Sequence, residues 1–71
     1  MERAIAKQLM RTLAAMNEQL NSATSLTAQI DSKDEQESLR RAIGNVVQMI
    51  YIDLMRPVIR QYPDLDPDRQ R

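Results

Sequence analysis

The sequence predicts an all-α protein: an antiparallel two-helix hairpin, with helices over residues 2–30 and 33–61, that pairs with a second copy into a four-helix bundle. Three observations predict it. Apolar residues recur at helical spacing through both segments. A Ser-Lys-Asp-Glu signature marks where the second helix starts. From Val46 onward that helix is apolar on nearly every side, which one neighbouring helix cannot cover. Length points the same way, because a chain of 71 residues buries only about 60% of the surface its unfolded form exposes. Disulfides or a zinc site would supplement so small a core, but the chain has no Cys and no His. Association with another subunit remains.

In the first helix, Ala6, Leu9, Leu13, Met16, Leu20, Ala23, Thr27 and Ile30 alternate steps of three and four residues, the rhythm of a packed helical seam. Strong helix formers fill its first 20 positions. Asn21, Ser22, Thr24, Ser25 and Thr27 then compete with the helical backbone through short polar side chains. The second half is therefore expected to be looser, with a break near residues 21–25 as the alternative.

Ser32-Lys33-Asp34-Glu35 fits a capping box, and Asp34, Glu35 and Glu37 oppose the positive end of the helix dipole. The second helix is thus expected to begin at Lys33. The connection is then only a few residues long, which makes the helices antiparallel neighbours.

Up to Asn45 the second helix carries a narrow apolar stripe of Leu39, Ala42 and Ile43. At about 100° per residue, Val46, Ile50, Leu54 and Val58 extend it toward the first helix. Tyr51, Ile52, Met55 and Ile59 point away, leaving Asp53, Arg56 and Arg60 for solvent. Pro57 lacks an amide hydrogen and crowds the carbonyl of Asp53, so a kink is expected there. The Tyr62-Pro63 step ends the helix. Residues 1–62 form the hairpin. Residues 63–71 read as a flexible acidic, Pro-containing tail, except where Leu65 can fold back.

The apolar surplus predicts a dimer interface at Gly44, Val47, Tyr51, Ile52, Met55 and Ile59. Gly44, the sole glycine, costs about 1 kcal/mol in mid-helix relative to Ala, and close approach of another backbone is the expected reason for it. Met10, Met16, Met49 and Met55 read as filler for a core or an interface.

Arg3, Lys7 and Arg11 form a basic ridge on the first helix, with Arg56 and Arg60 at the same end of the hairpin. They are the candidate anion or nucleic-acid face. Against that use, 10 basic and 10 acidic residues cancel, so no global field draws the chain to nucleic acid or to an anionic membrane. Phe and Trp are absent too, which removes the usual stacking platform for single strands.

Asp64, Asp66 and Asp68 alternate as the first ligands of a calcium loop do, but Arg69 stands where that loop requires Gly and the chain ends before its bidentate Glu. No metal, no cofactor and no catalytic constellation is expected, since Ser and Thr have no His or convincing Lys partner. The longest apolar run, Met49-Ile50-Tyr51-Ile52, is far below the ~20 residues of a membrane-spanning helix. No leader opens the chain, so a cytoplasmic protein without a membrane association is expected.

The expected architecture resembles that of Rop, the small dimeric RNA-binding hairpin, although no sequence motif is shared. The leading expectation is a non-enzymatic protein–protein interaction module, a homodimer or a partner of another protein. The likeness to Rop is one of fold alone and carries no function; the alternative, a nucleic-acid-binding regulator of Rop-like architecture, rests on the basic face of Arg3, Lys7, Arg11, Arg56 and Arg60.

Overall fold

The computed structural model describes residues 1–67, and among them the chain is all-helical. α1 spans Arg3–Thr27. α2 spans Lys33–Met49 and runs without a break into a π-helical segment, Ile50–Met55, and then into α3, Arg56–Gln61. A 3-10 turn, Pro63–Leu65, follows. The two long helical stretches lie side by side in a hairpin-like arrangement with extents of 46 × 21 × 16 Å.

α1 continues through its polar second half because the competing hydroxyls bond within the helix. Ser22, Thr24 and Ser25 donate to the carbonyls of Glu18, Leu20 and Asn21 at 3.1 to 3.3 Å. This back-bonding spends the side chains on the helical backbone instead of on an alternative turn. After Thr27 the chain turns. Gln36 Nε2 holds the connection by donating to the carbonyls of Ala28 and Ile30 at 3.0 and 2.8 Å. Ser32 caps α2 as expected, accepting from the Glu35 amide at 3.3 Å.

The seam of α1 differs in part from the predicted one. Ala6, Leu13 and Thr27 are buried as expected and Leu20 is half-buried, but Met10 takes the inward position that Leu9 was expected to hold. Leu9 and Met16 remain 38% and 44% exposed. Steps of three and four fit two registers equally well, 6-9-13-16-20 and 6-10-13-17-20. What packs against the helix chooses between them.

That choice originates in the second helix. A π turn closes its hydrogen bond over five residues instead of four, and Arg56 N–H accordingly donates to the carbonyl of Tyr51. The inward position after Ile50 therefore falls on Met55 rather than on Leu54. Met55 is 4% exposed and Leu54 47%, which corrects the predicted facing of both. Pro57 explains why the α register fails here, because it removes the amide that the Asp53 carbonyl would bond in an α-helix.

The core is Ala6, Met10 and Leu13 of α1 against Ile50, Met55 and Val58, closed from one side by Leu65, which is 7% exposed. Within residues 63–67, Leu65 folds back onto the helices, the exception that the sequence allowed in an otherwise polar tail. That one buried leucine docks the segment. Four polar interactions help to tie the same end. Arg3 Nη1 donates to Asp64 Oδ1 at 3.0 Å, and Arg3 Nη2 pairs with Asp64 Oδ2. The Arg3 guanidinium also lies 5.6 Å from the centre of the Tyr62 ring, and the Tyr62 hydroxyl donates to the Met1 carbonyl at 2.6 Å. Asp68 lies outside the described residues.

Candidate functional site

The candidate site is a surface. Its geometry follows from which flank of the helix pair the C-terminal segment covers. Leu65 and Pro67 share a cleft with Lys7, Met10, Arg11 and Ala14 of α1. Asp66 and Pro67 share another with Ala14, Asn17, Tyr51 and Met55. The segment thus bridges both helices on one flank.

On α1 the covered residues stand on the C-terminal-rotating side of the seam. Ile5, Leu9 and Met16 stand about 60–100° to the other side, by helical phase. On the second helix the same rotation separates Tyr51 from Val46, Met49 and Leu54. Because Tyr51 is on the covered flank together with Ala14, the residues rotated the opposite way on both helices come to the bare flank. All six are exposed: Ile5 51%, Leu9 38%, Met16 44%, Val46 48%, Met49 55% and Leu54 47%. A shallow groove between Asn45, Val46, Met49, Ile50, Asp53 and Leu54 runs along it.

The predicted dimer residues do not form one exposed surface. Met55 is in the core, Ile59 packs against it, and Val47 is half-buried. Tyr51 and Ile52 are exposed, at 39% and 41%, but Tyr51 borders the docked segment. Gly44 has nothing within 4 Å of the place a Cβ would occupy, so no backbone of this chain requires the glycine. For Met55 the physical reason is again the π turn, which rotates the residues after Ile50 relative to an α-helix; Gly44 and Val47 precede it.

The basic face is also redistributed. Arg3 is engaged by Asp64 and Tyr62, while Lys7 and Arg11 border the docked segment. Arg56 and Arg60 are exposed on the outer side of the second helix. All five cations are exposed. Among the described residues, no group of three or more His, Cys, Asp or Glu side chains could hold a metal ion.

The helix Lys33–Gln61, at 29 residues, is long and apolar enough to cross a membrane by length and composition, which the shorter unbroken apolar run had concealed. Mostly buried core helices of water-exposed folds reach the same values, whereas 17% of this apolar stretch is buried within the chain. Asp53 and Arg56 stand inside its apolar stretch, where each charge costs about 2.5–3.5 kcal/mol at a bilayer centre.

Fold and surface together define a class: a small all-helical, hairpin-like protein whose apolar side chains outnumber the places its own core offers. No protein-family model, no curated protein and no solved structure matches the chain.

Proposed function

We propose that this chain is a non-enzymatic protein–protein interaction module that works as a homodimer, two antiparallel hairpins forming a four-helix bundle. One observation carries the reading. Seven apolar side chains are buried within the chain, while eleven large ones are 38–62% exposed. Scattered exposed apolar residues are ordinary, but a contiguous set along a helix pair marks a surface meant to be covered.

The absence of Cys and His removes most nucleophile–base and metal-assisted chemistry from consideration. The nucleic-acid alternative has less support, since the net charge is zero and Arg3, one of its five cations, already pairs with Asp64. Sedimentation equilibrium of the full chain at micromolar concentration tests the proposal. The expected mass is twice the 8.2 kDa of one chain, and a stable, well-folded monomer would refute the homodimer.

A further inference from the structure

Resting on the homodimer reading, we infer that the contact between copies is the bare flank formed by Ile5, Leu9, Met16, Val46, Met49 and Leu54. A second copy of this chain is its occupant. Residues 63–67 lie over part of the other flank, beside Ala14 and Tyr51.

The molecule is one helix layer deep, with its least extent only 16 Å. A stable domain needs two packed layers around a core. A second hairpin laid on the bare flank supplies the missing layer and turns six exposed apolar side chains into a shared interior. Surface area agrees in size. A compact protein of 8.2 kDa is expected to expose about 4,500 Å², whereas this chain exposes 5542 Å². The excess of roughly 1,000 Å² is close to the ~800 Å² each partner buries in a standard interface.

Charge separates a second copy from other occupants. By helical phase, no Lys or Arg of α1, α2 or α3 falls on the bare flank, and only Glu2, Glu35 and Asp53 stand on or beside it. A helix that lies on an anionic bilayer or along nucleic acid rims its contact face with cations. This flank has the reverse. Two like faces with few charges at their margins can meet with little repulsion.

An isologous contact uses the same patch on both partners and so closes the assembly at two copies.

The test uses the full chain and three charge insertions at positions that are exposed in the monomer. Val46→Glu and Met49→Glu, on the bare flank, are expected to weaken the dimer at least about 100-fold in Kd, since each places an unpaired charge in a covered contact. Ile52→Glu, outside it, is expected to change Kd less than about threefold. A dimer that tolerates both bare-flank variants but dissociates with Ile52→Glu overturns the placement while leaving the homodimer intact. A monomeric parent chain overturns both.

If the bare-flank variants unfold, proximity is read on a folded dimer instead. The chain has no Cys, so Met49→Cys or Ile52→Cys accepts a single pyrene. Excimer emission from position 49 and none from position 52 is expected. The opposite pattern refutes the inference, as does a parent chain that is monomeric in solution and saturates on anionic vesicles.

Discussion

Truncating Leu65 tests whether the C-terminal segment is part of the fold. Leu65 is 7% exposed and belongs to the same cluster as Met10, Met55 and Val58, with its far side opening toward Lys7, Arg11 and Ala14. Leu→Ala in a core costs about 2–5 kcal/mol, depending on how far the site can collapse or fill. This site lies at the edge of the core under a short segment that can settle inward, so the low end, about 2 kcal/mol, applies. Unfolding entropy of about 2.1 cal/mol/K per residue gives roughly 0.15 kcal/mol/K for 71 residues. Leu65→Ala is therefore expected to lower Tm by about 13 °C. Circular dichroism at 222 nm measures it, with parent and variant at equal protein concentration because Tm of an associating protein depends on concentration. Leu26→Ala, at a position 62% exposed, is the control and should shift Tm by only a few degrees. A loss under about 2 °C for Leu65→Ala would refute the docking and return residues 63–67 to the status of a free tail.

Ser32→Ala removes the acceptor of the Glu35 amide and is expected to cost about 1 kcal/mol. Ser22→Ala, whose hydroxyl only repeats a bond to an already helical carbonyl, should be neutral or slightly stabilising; equal losses in urea denaturation would refute the assignment of the cap. Gly44→Ala meets open space and is expected to stabilise by up to about 1 kcal/mol, raising the urea midpoint with the dimer mass unchanged. A fall in the midpoint or in the mass would show that another backbone does approach Gly44, and would restore the interface that the sequence suggested there.

Much of the secondary structure was legible because its determinants are local. Ser32 and the acidic first turn set the start of α2, and the Tyr62-Pro63 step set the end of the second helix at Gln61. The continuity of α1 was ambiguous in sequence, since a Ser or Thr hydroxyl can serve either a turn or the helix, and tertiary packing decides. Facing was less legible. The apolar three-and-four spacing puts Met16 on the seam, yet Asn17 is the more covered and Met16 is exposed. The π turn left one usable sign, Pro57, which was read as a kink. Its actual effect is a one-residue change of register, which a wheel drawn at constant angle misses, so Leu54 and Met55 exchange their expected places. Leu65, the one large apolar residue of the tail, marked where it could fold back, but its seat is built from both helices and no local pattern locates it.

The π turn also decides how one apolar segment can serve two layers. In an α register Leu54 would turn inward and Met55 outward, placing the surplus on the flank where residues 63–67 lie. With the π turn, Met55 joins Met10 and Leu65 in the subunit core, and Leu54 moves to the bare flank beside Val46 and Met49. The segment 46–58 is thereby sorted into residues that complete the hairpin core and residues that stay exposed. Pro57 makes this arrangement accessible. Because the α register would leave the Asp53 carbonyl without its amide donor, the usual advantage of an α turn over a π turn is reduced at this point in the helix.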